Sequence, residues 1–375
     1  MFAFELDSNI SWPCWNTNPR VGLVGCGIYD NIDAYHVMRF QLLSGESRFI
    51  MYFKKFFSQP RIHVKFLDLY YFVKPAIPDR VRLKLRRTIA SRRRRSAANV
   101  WPIAESARRR PEWWRGWPEG KSFAFVLTHD VEGKKGMERC RALAEQEMEL
   151  GFRSSFNFVP EGQYTTPALL RSFLVENGFE VGVHDLYHDG TLYRSKADFM
   201  AGASQINGYL KRWQAVGFRS AFMFHNLEWL QELNVLYDAS TFDTDPFEPQ
   251  PDGVNTIFPF WVGRPDGSGY VEMPYSLPQD STLFLVLGEK TNDIWKHKLD
   301  WVARNNGLAL VNVHPDYIAF EGRPSCMEFP VELYKEFLSH VSAQFRDTAW
   351  CALARDVAQF AREHILASGP AKGTL

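Results

Sequence analysis

The chain has no run of about 18 apolar residues, so no segment is built to cross a bilayer as a helix. It has no Cys-x-x-Cys pair. Its five cysteines, Cys14, Cys26, Cys140, Cys326 and Cys351, are scattered and odd in number, and they read as reduced thiols of a cytosolic protein. The first residues, Met1-Phe2-Ala3-Phe4-Glu5-Leu6-Asp7, lack a basic stretch followed by an apolar one. No export signal is therefore expected, and a cytoplasmic location is. An excess of one charge is also missing. The 44 Lys and Arg residues face 43 Asp and Glu, a net of +1, which excludes a whole-molecule field that gathers nucleic acid.

What is present fits a folded globular protein: 375 residues, 45% hydrophobic and 23% charged. Aromatics at 15% supply either sugar-stacking surfaces or a large core. The balanced charge hides an asymmetry. Residues 74–110 hold 13 Lys or Arg against Asp79 and Glu105, a local net of +11, so the remainder carries −10. Within that stretch Val81, Leu85 and Ile89 recur at i, i+4 and i+8, a narrow apolar stripe on a very basic helix that ends in Arg92 to Arg95. Such a helix lies on an anionic membrane, here the inner surface, or packs as a solvated linker on an acidic neighbour. Nucleic acid is not an expected partner.

The chain is read as residues 1–73 of unassigned role, a basic linker over 74–118, a (β/α) barrel with C-terminal helices over 119–367, and a frayed tail at 368–375. Short strand-like runs occur at 48–53 and 63–67. Gly22-Leu23-Val24-Gly25-Cys26-Gly27 has the wrong glycine spacing for a nucleotide loop and reads as a turn. Trp113, Trp114 and Trp117, among Pro and Gly, mark a boundary and seal one end of the barrel. From 121 onward strand and helix alternate. Strands are predicted at 122–127, 153–159, 179–183, 218–223, 235–239, 270–273, 283–287 and 308–313. Helices are predicted at 136–150, 166–177, 196–213, 227–233, 293–305, 331–344 and 351–365. Repeated units with nearly all-apolar strands mean a parallel sheet covered by helices, with functional groups at the strand C-termini.

The most informative stretch is His184-Asp185-Leu186-Tyr187-His188 at the end of one such strand. Histidines at i and i+4 share one face of a helical turn and can aim two imidazoles at one divalent cation, given an acid. Thr128-His129-Asp130-Val131-Glu132 supplies acids.

Five motifs in order over about 200 residues resemble the NodB-homology polysaccharide deacetylases, carbohydrate esterase family 4. They are Thr128-His129-Asp130-Val131-Glu132, Ser155-Phe156-Asn157-Phe158-Val159, Glu180-Val181-Gly182-Val183-His184 with His188, Gly217-Phe218-Arg219-Ser220-Ala221-Phe222, and Leu310-Val311-Asn312-Val313-His314-Pro315. The resemblance implies an α/β fold, a distorted (β/α) barrel with an N-terminal extension. It implies metal-dependent removal of acetyl groups from an N- or O-acetylated sugar or glycan precursor, with zinc the first candidate among divalent cations. Asp130 would be the base, His314 the acid, and Arg219 the cation that holds Asp130. The metal and a backbone N–H after the Arg motif would stabilise the oxyanion.

The family's two adjacent aspartates are here Asp130-Val131, and Val131 cannot bind metal. In the version that spaces the acids by one residue, Glu132 joins His184 and His188 as ligands. In the other register His129 is the base and Asp130 the ligand. A metal-free relative is a third reading, and Ala221-Phe222 replaces the usual Pro-Tyr of the Arg motif. His225 and Trp261 are candidates for substrate contact, and one of Asp238, Asp243 and Asp245 for orienting Arg219. A cyclic-amide hydrolase and a non-catalytic glycan-binding or membrane-associated assembly protein remain as alternatives.

Overall fold

The structure, a computed structural model, describes residues 35–41, 48–54 and 79–368. The sequence readings at 22–27 and 63–67 and of the tail beyond residue 368 lie outside the described residues. The chain divides into two compact units, residues 1–73 and 74–375. In the first, β1 (Tyr35–Gln41) and β2 (Arg48–Lys54) pair antiparallel, with Tyr35 opposite Lys54 and Gln41 opposite Arg48.

The second unit opens with the basic helix α1 (Asp79–Ser96). The 74–118 stretch expected as a linker is packed in the same compact unit as the barrel. Leu83 and Ala90 are buried, Arg87 Nε donates to the Leu285 carbonyl at 2.9 Å, and Arg94 pairs with Glu289 at 2.6 Å. Of the Trp cluster, Trp113 and Trp117 are buried. Trp117 donates to the Asn306 carbonyl beside the start of the last barrel strand and packs against Trp350 and Phe360.

Next come β3 (Phe123–Val131), α2 (Lys134–Glu149), β4 (Ser155–Phe158), α3 (Ala168–Glu176), β5 (Glu180–His184) and α4 (Lys196–Trp213). They are followed by β6 (Gly217–Arg219), α5 (Leu227–Leu230), β7 (Tyr237–Asp238), β8 (Phe260–Gly263) and β9 (Gly269–Glu272). The chain closes with α6 (Asp293–Arg304), β10 (Leu308–Asn312), β11 (Ile318–Ala319), β12 (Phe329–Pro330), α7 (Val331–Phe345), β13 (Ala349–Cys351) and α8 (Ala354–Ala367).

The main sheet runs β10, β3, β4, β5, β6, β7, β9, β8, and β13 adds to the start of β3. All its pairings are parallel except β8 on β9, and the sheet curls into a half-barrel. Every residue of β3 is buried, because helices cover both faces. Strand alternation separates those faces. Phe123, Phe125 and Leu127 enter a core built with α2, α6 and α7, whereas Ala124 and Val126 face a second core with α8.

Two predicted elements are built differently, and one strand was not predicted. The 283–287 run is the second half of a π-helical segment, Ser281–Leu287. A short buried apolar run looks the same in strand or helix. Here Asp280 caps the first N–H and Gly288, at φ 75°, ends the turn. The 218–223 strand stops at Arg219, because Phe222 and Met223 take positive φ in the turn after it. The antiparallel hairpin β8–β9 was not foreseen from Phe260 to Gly263, whose residues are only half-buried and lack alternation.

Candidate active site

The face that carries Ala124 and Val126 also carries, by the same alternation, Thr128 and Asp130. The β4 partner in register with Asp130 is Asn157. On the other side β10 brings Asn312 and, just past its end, His314. All stand at the C-terminal ends of parallel strands, where this architecture gathers function.

Asp130 is buried and accepts from three groups. Asn157 Nδ2 reaches Oδ1 at 3.0 Å, while Asn312 Nδ2 and Arg219 Nη1 reach Oδ2 at 2.8 and 3.5 Å. Burial alone would raise its pKa, but the Arg219 guanidinium, with help from His184, His314 and the Asn157 amide, holds the carboxyl well below the usual range. Arg219 is itself fixed by Thr128 Oγ1 at 2.9 Å and the Ala239 carbonyl at 2.8 Å. Gly182 is required on β5, since a Cβ there would collide with Asn157 Oδ1.

His129 points the opposite way, as its parity with Phe125 and Leu127 demands. Its Nε2 meets Glu147 Oε1 at 2.7 Å and its Nδ1 the Val313 carbonyl at 2.8 Å, with ring and acid both fully buried. The register that makes His129 a base is therefore not built, and its imidazole is part of the core. His129→Ala leaves the Glu147 carboxylate buried without this partner and should cost ~3–5 kcal/mol. Denaturant unfolding checks this, and metal content per folded chain should stay unchanged.

Glu132, His184 and His188 are the group of potential metal ligands found among the described residues, with ligand atoms within 4.8 Å of one another. His184 Nδ1 donates to the Arg219 carbonyl at 3.0 Å, which leaves Nε2 as the lone-pair nitrogen. His184 Nε2 is buried without a hydrogen-bond partner, the state expected of an imidazole shaped for a cation. His188 Nε2 lies 3.2 Å from Glu132 Oε1. Burial holds His184 toward its neutral form; burial acts the same way on His188, but the Glu132 carboxylate overrides it and raises the pKa. The acid thus already draws positive charge to this spot. Tyr317 donates its hydroxyl to Glu132 Oε2, and Asp316 accepts the Glu132 N–H at 2.9 Å. The donor set fits a divalent cation. The two histidines do not meet through a helical turn. Asp185 and His188 both take left-handed backbone, φ 56° and 57°, in a loop braced by Asp185 Oδ2 on the Ala221 N–H at 3.2 Å.

His314 Nδ1 meets Asp280 Oδ1 at 2.6 Å, and its Nε2 lies 3.9 Å from Glu132 Oε1. Burial opposes protonation, but Asp280, with Glu132 and Asp130, raises its pKa to about 10. These acids therefore favour the protonated ring. Asp280, Asn157, Asn312 and Tyr317 were not foreseen as site residues. Strand parity with Asp130 and His314 could have marked the two asparagines, but nothing local marks Asp280.

The other candidates have these surroundings. His225 packs on Phe242, with Nδ1 at the Met223 carbonyl and Nε2 3.8 Å from Asp252. Trp261 is half-buried on β8 against the core shared with Val271 and α8. Asp238 accepts from the Ser240 hydroxyl and feels the Arg219 charge, Asp243 pairs with Lys298 at 2.9 Å, and Asp245 accepts from Tyr275 at 2.9 Å; the guanidinium Nε of Arg219 donates to the Ala239 carbonyl. Within the Arg motif, the N–H groups of Ser220 and Ala221 donate to Ser240 Oγ and Asp185 Oδ2.

No protein-family profile matches the sequence, and no curated protein matches it. Solved structures do. A candidate polysaccharide deacetylase from Mycobacterium smegmatis superposes with a TM-score of 0.52 at 18% identity, over 70% of this chain and 96% of that one. The fold is that of the NodB-type deacetylases. More distant are a family 4 carbohydrate esterase from Streptomyces lividans (TM-score 0.36, 10% identity, 60% of this chain, 90% of that one) and a CE4 family pseudoenzyme from Bacillus anthracis (0.38, 13%, 65% and 68%).

Proposed function

We propose that the protein is a divergent, metal-dependent deacetylase that hydrolyses the acetyl group of an N- or O-acetylated sugar or glycan precursor. The observation that carries this reading is the placement of three groups at one end of the sheet: the His184–His188–Glu132 donor set, Asp130 held by Arg219, Asn157 and Asn312, and His314 paired with Asp280. Two imidazoles and one carboxylate suit zinc. A divalent cation held there polarises a carbonyl and acidifies water. The chain's own groups supply the proton traffic. Asp130 is kept charged by Arg219 and aimed by Asn157 and Asn312, so it can take a proton from the attacking water. His314, charged through Asp280, can return one to the departing nitrogen or oxygen.

The test is acetate release from a panel of N- and O-acetylated sugars, with protein stripped of metal and then reconstituted. Metal-dependent release from at least one sugar, abolished by His184→Ala or His188→Ala together with metal binding, is the expected result. Stoichiometric metal in either variant would sink the ligand assignment. A fully loaded wild type without release from any acetylated sugar, but with cleavage of cyclic amides or simple glycan retention, would replace the activity assigned.

A further inference from the structure

The two sides of α1 are built for different surroundings. One side is locked to the barrel. Leu83 and Ala90 are buried, Arg87 holds the Leu285 carbonyl, Arg94 pairs with Glu289, and Arg93 Nη1 reaches the Pro246 carbonyl at 3.1 Å. At 3.6 residues per turn, the opposite side carries the sequence's apolar stripe within an arc of about 80°. Val81, Leu85 and Ile89 stand 48%, 51% and 54% exposed. Large aliphatic residues held in water on a rigid helix are unfavourable unless something covers them. On the helical wheel exposed Arg92 falls within this arc, and exposed Arg95 and Lys84 follow it on one side. The helix is thus apolar along its outer line and cationic within it and along one margin, although residues outside 74–110 carry a net of −10. Basic side chains along a shallow apolar line complement lipid phosphates around acyl chains, whereas a polyanion such as nucleic acid gives the aliphatic stripe nothing to bury against.

We infer that the outward face of α1 is a docking surface for an anionic phospholipid bilayer. The helix lies in the headgroup layer and does not cross it; among the described residues no helix is long and apolar enough to span. Its attachment fixes the orientation of the catalytic face as well. Arg87 grips the π-helical segment whose cap, Asp280, pairs with His314 at 2.6 Å. A docked α1 therefore holds the His314 side of the barrel near the lipid surface.

The inference is independent of the catalytic reading, so its test reads binding. Full-length protein is co-sedimented at low salt with vesicles of phosphatidylcholine, with and without phosphatidylglycerol. Binding is expected only with phosphatidylglycerol and falls with added salt. Leu85→Ser with Ile89→Ser should weaken partitioning roughly tenfold by removing the inserted stripe. Arg92→Gln with Arg95→Gln should weaken it roughly twentyfold and flatten the salt dependence. Neither pair should alter the thermal midpoint or acetate release from a soluble sugar. Absence of binding by the unmodified protein to phosphatidylglycerol vesicles overturns the inference. So does binding that depends on the arginines but ignores the stripe, which is the signature of a generic polyanion site. A fall in thermal midpoint, or new protease cleavage within residues 1–78 in the Leu85→Ser, Ile89→Ser protein, overturns it too, because it shows that the chain's own N-terminal segment covers the stripe.

Discussion

Asp130→Asn should keep one divalent ion per chain and lose roughly 10²–10⁴ in turnover, the usual worth of a positioned base. Glu132→Gln should do the reverse at the first step and lose the ion. The contrast comes from position. Asp130 turns both oxygens to protein donors, Oδ1 to Asn157 and Oδ2 to Asn312 and Arg219, and is not one of the ligand trio. Glu132 faces His188 at 3.2 Å. Elemental analysis beside acetate release separates the two. An amide at position 130 also sets an NH₂ against donors and leaves Arg219 less compensated, so a lower thermal midpoint is expected. A folded Asp130→Asn protein that has lost its metal would make Asp130 the ligand and undo the assignment.

The placement behind that proposed division of labour was legible where strand periodicity governs it. With 128, 130 and 132 on one parity and 129 and 131 on the other, the spaced pair Asp130 and Glu132 had to share a face, and the structure sets His129 against Glu147 behind the sheet. Buried apolar strands such as 308–313 and the capped helix at 196–213 were equally readable: the latter begins at Ser195, whose hydroxyl accepts the Asp198 N–H. What was hidden lies in irregular backbone. His184 and His188 converge through two left-handed residues, a geometry their spacing does not announce. Asp280 reaches His314 from a π-helical segment read as a strand, 34 residues away in sequence, and only the folded barrel joins them. The basic helix was recognised, but its apolar stripe would normally mark the inward face. Here Leu83 and Ala90, off that stripe, pack on the barrel.

The second large effect belongs to the His314–Asp280 pair. His314→Gln should lower amide deacetylation by roughly 10²–10⁴-fold, because a departing amine needs a proton that Gln cannot give. The defect should shrink for an activated aryl acetate, whose phenolate leaves unaided; an equal loss on both substrates would indicate a structural role. Asp280→Asn tests the tuning. Asp280 raises the His314 pKa to about 10 against the opposing cost of burial, so the proton needed for catalysis is present at neutral pH and lost as pH rises through the folded-state value. A bound cation's own charge pulls that value down, so the alkaline limb of the loaded enzyme lies below about 10. With Asn at 280 the carboxylate's contribution disappears while burial remains, and the limb must move to lower pH. Stability carries the same sign. A histidine whose folded pKa exceeds its unfolded value of about 6.5 stabilises the fold fully below that pH, and the contribution fades toward the folded value. Wild type should therefore lose more stability than Asp280→Asn between neutral and alkaline pH. A pH–rate profile whose alkaline limb stays fixed in Asp280→Asn would show that another group donates the proton.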